Sequence, residues 1–408
     1  MPTSIRLLRS GFVRAVMLST LFSQMGIWIR NFAVLLYVME ITGGDSLAVS
    51  LISVAEYAPI FIFSFIGGVF ADRWRPKKTM VWCEALSSLS VFAVFAVLET
   101  GAWEAVFFAT LCSSILSQFA QPSGMKLFKN HIKDEDAQIC MSLLQTLTSI
   151  FMILGPILGT LAYQQFGIEV SLSATGACFL LSALSLVFVP SDQRPSNDGK
   201  TNASSLLREM ADGIRFVFAD RLILQLTLCF TWVGLGVGLI SPLGIFLVTE
   251  QLNLPAEALQ WISIPYGLGE IVGGLATFAL AAKIAPQRFL MAGLLVNGCG
   301  IVLAGLSTEI WLTIMAQFLI ALLQPAIFVG NGALVMQHTD SGFIGRVMGI
   351  RTPLMTGAML LGMSVAGALK NSLSLSVVYE FAGFCFFAAF LILIPLFRSK
   401  GRGKRSAT

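Results

Sequence analysis

The sequence has few charged residues and almost no histidine. Only 12% of its 408 residues are Asp, Glu, Lys or Arg, about half the share in a typical water-soluble protein. Two histidines in the whole chain argue against a histidine-based metal site. The seven cysteines never form a C-x-x-C pair, and no G-x-x-x-x-G-K-[ST] loop is present. We therefore predict no disulfide framework, no ATP site, no cofactor and no nucleic-acid partner.

Hydrophobic residues make up 56% of the chain and fall into long uninterrupted runs. A membrane-spanning helix needs about 20 predominantly apolar residues, and these runs are long enough. The predicted fold class is therefore an all-α integral membrane protein. The twelve predicted transmembrane helices cover 14–39, 47–71, 79–99, 103–124, 140–164, 168–189, 221–248, 257–281, 287–307, 310–335, 345–369 and 374–397.

The positive charges indicate how these helices cross the membrane. Of 26 Lys and Arg residues, all except Arg30 and Lys370 lie at one set of alternate helix ends, Arg351 among them. Cytoplasmic loops carry the excess of Lys and Arg in membrane proteins. We therefore expect the N- and C-termini and the central loop to be cytoplasmic.

The longest polar stretch divides the chain into two halves. It opens with P-S-D-Q-R-P-S-N-D-G at 190–199, a composition typical of a flexible linker, and an amphipathic pattern follows over 206–217. We predict an N-terminal six-helix half at 1–190, a cytoplasmic linker with a short amphipathic helix at 191–220, and a C-terminal six-helix half with a basic tail at 221–408.

A short repeat supports this division. The dipeptide Gln121-Pro122 in the fourth predicted helix recurs as Gln324-Pro325 in the tenth. Two related halves around a central crevice are the architecture of a secondary transporter.

The loop after the second predicted helix reads G-G-V-F-A-D-R-W-R-P-K-K over 67–78. It resembles the G-x-L-A-D-R-x-G-R-K/R signature loop of the major facilitator superfamily, although Arg75 stands where that signature has a glycine. This departure and the stretch L-G-P-I-L-G at 154–159 resemble the branch of macrolide-efflux and siderophore-export permeases. The resemblance extends over essentially the whole chain.

The resemblance implies a secondary active transporter rather than an enzyme. The expected function is proton-driven export of a bulky amphipathic small molecule, such as a macrolide-like drug or a siderophore, by alternating access. A lipid flippase or an uptake permease of the same fold is the alternative. The expected partners are the small-molecule substrate, protons and the lipid bilayer. We expect a monomer that spans the cytoplasmic membrane of a bacterium several times.

The signature loop is the predicted conformational latch. Asp72 ends an apolar helix among four cations, so it can pair with Arg73 or accept from backbone amides of a neighbouring helix. An ordinary basic loop would explain the cations but not Gly68 or Asp72. The latch residues are Gly68, Asp72, Arg73, Arg75, Lys77 and Lys78.

The fifth predicted helix contains the second motif, Gly155-Pro156-x-x-Gly159. Pro156 removes a helical hydrogen bond, and the two glycines allow another helix to approach closely. The resemblance implies a motif associated with antiporters, and a packing kink is the alternative.

Two opposite charges lie within the first two predicted helices. Arg30 lies 16 residues after Arg14, and Glu56 lies 16 residues before Asp72, which places both about 24 Å from the cytoplasmic face. Because a charge in the hydrocarbon is costly, we expect the two to face each other. They form either a structural ion pair or a proton carrier, Glu56, that Arg30 modulates.

Other polar residues in the helices are further candidates. Glu270 has no evident cation at its depth and is an equal candidate for proton coupling. Glu84 is a lesser candidate, since its position near the cytoplasmic end suggests contact with the basic loop. The candidate residues for a substrate crevice are Gln24, Asn31, Gln225, Gln317 and Asn331.

Overall fold

A computed structural model describes residues 10–98, 102–131, 134–190, 214–280, 283–339 and 344–402. These ranges are almost entirely helical and contain no β-strand, which confirms the all-α prediction. The long helices are α1 Gly11–Ile41, α2 Ser46–Arg73, α3 Pro76–Leu98, α4 Ala105–His131, α5 Asp134–Val187, α6 Arg221–Ile240, α7 Leu259–Leu280, α8 Pro286–Leu306, α9 Ile310–His338, α10 Ile344–Ser372 and α11 Leu375–Arg402.

Local sequence explains where several of these helices begin. Asp220 caps α6, because its Oδ1 accepts hydrogen bonds from the backbone amides of Leu222 at 2.8 Å and Ile223 at 3.0 Å. Helix α3 begins at a proline, whose fixed φ suits the first helical position and whose missing N–H is not needed there. The turn between α1 and α2 places Gly43 and Gly44 at positive φ.

Helix α5 joins two predicted transmembrane helices into one long element. Gly167 is the non-helical residue within it, at φ 73° and ψ −175°, and lies between the predicted ranges 140–164 and 168–189. Within the described ranges, ten apolar helices are long enough to cross a membrane, and α5 counts as one of them. The apolar part of α4, at 105–120, is shorter. Twelve crossings therefore stay a prediction.

The chain divides into two compact units, Met1–Asp198 and Gly199–Thr408. In the first unit α1 packs along α5, α4 packs against α2 and α3, and α3 also contacts α5. Its main core cluster is built from buried aliphatic and aromatic side chains such as Val34, Val38, Leu172 and Phe179.

The second unit repeats this pairing of helices. Helix α9 packs against α7 and α8, as α4 packs against α2 and α3 in the first unit, and α6 packs along α10. Tyr379 and Phe386 of α11 are fully buried in this unit. Most of the predicted linker, 191–213, lies outside the described residues, and 214–219 is helical with Val217 buried.

Helices α1 and α5 approach closely at the two glycines of the predicted helix-5 motif. A Cβ added at Gly155 would meet the Trp28 ring, and one added at Gly159 would meet Phe32 and the carbonyl of Trp28. The two aromatic rings of α1 stack with their centroids 6.0 Å apart. In this structure the glycines therefore make room for the aromatic side chains of α1.

We predict that Gly159→Ala lowers the melting temperature of the protein. The new methyl group would overpack the contact with α1, and overpacking typically costs about 1–3 kcal/mol. The measurement is thermal unfolding of the detergent-solubilised protein, followed by loss of the monodisperse peak. Gly274→Ala in α7 is the matched control, because its Cβ would meet nothing within 4 Å. Equal melting temperatures for the two variants would contradict this account of the packing.

Candidate functional site

The first unit contains a cavity of about 470 Å³. This size is in the range of pockets that hold small molecules. Apolar side chains such as Ile27, Ile60 and Phe179 form much of its wall. The polar and charged residues of the lining include Ser23, Gln24, Arg30, Glu56, Glu84 and Ser113.

Arg30 and Glu56 lie on neighbouring helices and are joined through Asn31. The buried guanidinium of Arg30 donates to Asn31 Oδ1, from Nη2 at 2.8 Å and from Nε at 3.2 Å. Asn31 Nδ2 in turn donates to Glu56 Oε1 at 3.1 Å. The structure thus brings the two predicted charges together, with an amide between them in place of a direct ion pair. Asn31, a predicted crevice residue, is the link.

Two successive serines of α4 complete this network. Arg30 Nη1 donates to the hydroxyl of Ser113, and the hydroxyl of Ser114 donates to the backbone carbonyl of Glu56 at 2.5 Å. Helix α4 therefore contacts both charged residues. The sequence analysis missed these serines, and the one signal for them was a pair of adjacent hydroxyls in an apolar helix.

Glu84 of α3 also lines the cavity, so the expectation that it meets the basic loop is wrong. The hydroxyl of Ser23 donates to Glu84 Oε1 at 3.1 Å. Glu84 Oε2 is buried and, among the described residues, makes no hydrogen bond of good geometry. Position along the chain suggested a place near the cytoplasmic end, but it could not show which face of α3 carries the side chain.

The predicted latch is described in part. For Gly68, Asp72 and Arg73 the structure describes the backbone alone, which is helical through Arg73. Lys77 Nζ donates to the backbone carbonyls of 187 and 189 at 2.9 and 2.5 Å. Lys77 thus provides a hydrogen-bond donor for backbone carbonyls at the end of α5, where the helix itself supplies none. The backbone carbonyl of Arg75 accepts from the amide of residue 79 at 2.9 Å, and Lys78 is exposed.

Arg351 of α10, which the sequence analysis counted among the charges at helix ends, is 3% exposed. Its guanidinium donates to Asn331 Oδ1 and, at 3.3 Å, to the carbonyl of Leu226, and lies 5.4 Å from the centre of the Phe230 ring. Asn331 is itself fully buried and also donates to the Leu226 carbonyl, at 3.2 Å. Asn331 thus joins α6, α9 and α10.

The remaining predicted residues of the second unit are half-buried. These are Gln225 on α6, Glu270 on α7 and Gln317 on α9. One turn before Glu270, the hydroxyl of Tyr266 donates to Gln324 Oε1 at 2.5 Å and joins α7 to α9. Gln324 is the first residue of the repeated Gln-Pro dipeptide, so in the second unit this dipeptide takes part in a contact between two helices.

These features define a multi-pass helical membrane protein with two similar halves and, within the first, a cavity that contains charged residues. The model of the Major Facilitator Superfamily matches residues 16–245 and 226–408. The chain belongs to this superfamily, which confirms the resemblance found in the sequence. It is therefore a membrane transporter and not an enzyme.

The chain is similar to several transporters along most of its length. It is 24% identical to the uncharacterised MFS-type transporter YkuC of Bacillus subtilis (strain 168), over 91% of this chain and 88% of YkuC. It is 21% identical to the multidrug efflux pump Tap of Mycolicibacterium fortuitum, over 82% of this chain and 84% of Tap. The crystal structure of the nucleoside transporter NupG has the same fold, with a TM-score of 0.74 at 15% identity over 94% of this chain and 98% of NupG.

We predict that Asn31→Leu destabilises the protein. The substitution leaves donors of Arg30 and the carboxyl of Glu56 without their common partner, and each buried group left unpaired costs about 1–3 kcal/mol. The measurement is again thermal unfolding in detergent. Gln24→Met is the matched control in the same cavity, because the described contacts include no hydrogen bond from Gln24. A melting temperature for Asn31→Leu equal to that of the control would contradict the bridging role.

Proposed function

We propose that the chain is a proton-driven exporter of a bulky amphipathic small molecule. Twelve transmembrane helices in two halves, with both termini cytoplasmic, would enclose a central crevice that opens to each side in turn. The membrane would be the cytoplasmic membrane of a bacterium, and a monomer would be the working unit. The observation that carries the proposal is the part-buried Arg30–Asn31–Glu56 network beside a cavity of small-molecule size.

The charges of this network support proton coupling, because the Glu56 carboxylate needs a compensating positive charge. A carboxylate within the membrane is costly unless a cation or a proton compensates it. The hydrogen bonds between Arg30 and Glu56 run through a neutral amide, so the carboxyl can exchange a proton without losing its hydrogen bond to Asn31. Glu270 on α7 is the alternative proton carrier.

Two further observations support export. The similar protein Tap is a multidrug efflux pump, and this chain matches most of its length. The apolar wall of the cavity suits a macrolide-like drug or another amphipathic compound, including a siderophore. In this mechanism the loop residues Gly68, Asp72 and Arg73 would hold one conformer closed, and Gly155, Pro156 and Gly159 would set the approach of α5 to α1.

We predict that everted membrane vesicles carrying the protein accumulate radiolabelled erythromycin when respiration acidifies their lumen. The protein would move the drug inward as protons leave the vesicle. Collapse of the gradient with an uncoupler should abolish accumulation. Accumulation in right-side-out vesicles alone would indicate an uptake permease, and movement of labelled lipid without drug transport would indicate a flippase.

The same vesicles identify the proton carrier. Glu56→Gln should abolish gradient-driven accumulation while drug-for-drug exchange persists, because exchange needs no net proton movement. Glu169→Gln, at an exposed carboxyl of α5, is the matched control. If only Glu270→Gln loses gradient-driven transport, Glu270 of α7 is the proton carrier instead of Glu56. Full activity of both variants would exclude coupling by these carboxyls.

The latch proposal makes a separate prediction for Asp72→Asn. The variant should reach normal abundance in the membrane but transport erythromycin more slowly, because a neutral amide cannot form the same charge-assisted contacts. The initial rate per molecule of protein is the measurement. Asp45→Asn is the control, since an asparagine can still cap α2, where Asp45 Oδ1 accepts from the amide of residue 47 at 2.9 Å. An unchanged rate in Asp72→Asn would remove the loop from the mechanism.

A further inference from the structure

Helix α2 contains a proline in the turn that carries Glu56. Pro59 is buried and lies three residues after Glu56. Its nitrogen has no hydrogen to donate to the carbonyl of residue 55, and its ring crowds that carbonyl. Sharp bends in helices usually occur at such prolines. The backbone around Glu56 is therefore a point at which α2 can bend, and a bend there would move the carboxyl.

A side chain of another helix supports this turn. The hydroxyl of Ser114, on α4, donates to the backbone carbonyl of Glu56 at 2.5 Å, and Ser114 is 7% exposed. Inside a membrane, hydroxyls of neighbouring helices supply donors to the backbone that a proline disturbs. Many hydroxyls of the described helices donate within their own helix instead, as Ser117 does to the carbonyl of Ser114 at 2.7 Å. The contact of Ser114 with Glu56 thus joins two helices at the disturbed turn.

The preceding residue of α4 contacts the other charge of the network. The hydroxyl of Ser113 accepts from Arg30 Nη1 and itself donates to the carbonyl of residue 109 at 2.8 Å. Successive residues of an α-helix project about 100° apart, so the two adjacent hydroxyls can reach different helices, α1 and α2. Helix α4 therefore fixes both Arg30 and the backbone of Glu56, and Asn31 connects their side chains.

We propose that Ser114 is a positioning residue for Glu56. Its hydroxyl holds the turn of α2 that Pro59 weakens, and this keeps Glu56 Oε1 within hydrogen-bond distance of Asn31 Nδ2. Ser114 acts on the carboxyl through the backbone, because its described hydrogen bond to Glu56 is to the main-chain carbonyl. This inference rests on the proposed role of Glu56 as proton carrier and adds the contact that fixes its geometry.

The test is infrared difference spectroscopy of the full-length protein in lipid nanodiscs, under acidic conditions that protonate Glu56. The carbonyl band of this carboxyl is the one that Glu56→Gln removes. Such a band rises in frequency when the carboxyl oxygen loses a hydrogen bond. Ser114→Ala should therefore raise the frequency of the Glu56 band, in the same direction as Asn31→Leu, which removes the donor outright.

Three further variants separate positioning from general packing. Ser114→Thr keeps the hydroxyl and should retain the wild-type band. Ser117→Ala is the matched control, because the hydroxyl that it removes bonds within α4, and it should also retain the band. Pro59→Ala, added to Ser114→Ala, should bring the band back towards the wild-type frequency, because an alanine restores the missing helical donor.

The vesicle assay gives the functional consequence. Ser114→Ala should lower gradient-driven accumulation of erythromycin about fivefold, the ratio expected for one lost hydrogen bond, while drug-for-drug exchange persists. Ser114→Thr and Ser117→Ala should transport as the wild type does.

An unshifted Glu56 band in Ser114→Ala would overturn the proposal, as would an equal shift in Ser117→Ala. If Ser114→Ala does not fold, recovery of folded protein on adding Pro59→Ala would support the proposal, and failure to recover would overturn it. A wild-type protein that transports erythromycin while the band stays unshifted would remove only the role of Ser114. A shifted band without wild-type transport would contradict export and leave the positioning of Glu56 in place.

Discussion

The first unit depends on how the charge of Arg30 is accommodated among apolar helices. An uncompensated guanidinium there would cost at least about 2.5 kcal/mol even on a lenient scale of membrane insertion. Asn31 and Ser113 provide the acceptors, and Asn31 passes the connection on to Glu56. Because these groups belong to α1, α2 and α4, satisfying one charge fixes three helices around the cavity.

Composition and periodicity were sufficient to predict the fold class and the positions of most helices. The depth argument also placed Arg30 and Glu56 near each other, since both were counted from charged residues at the same face. It could not predict Asn31 as the bridge, because an asparagine in a helix shows its partners only after the helices pack. The surroundings of Arg351 were hidden for a related reason. A count of positive charges says only which helix end an arginine lies near, whereas in the structure this one contacts Asn331, the Leu226 carbonyl and the Phe230 ring.

The two units share their helix pairing but differ in how the paired helices approach. In the first unit Gly155 and Gly159 lie on α5, and the bulky partners lie on α1. In the second unit the glycines, Gly234 and Gly238, lie on α6 and meet backbone carbonyls of α10. Gly362 of α10 also meets the backbone of α6, so both members of this pair carry glycines at the contact. Close approach is what the repeat preserves, and either helix can supply the space.

The chemistry of the two units differs more than their architecture. The first unit has two carboxyls and one cation around its cavity, whereas the buried cation of the second unit, Arg351, contacts neutral groups among the described residues. A repeat that conserves packing leaves such polar positions free to diverge, because the helices are held together mainly by apolar contacts. In the first unit, Arg30, Glu56 and Glu84 of α1, α2 and α3 share one cavity, so these charged groups lie where a ligand can reach them.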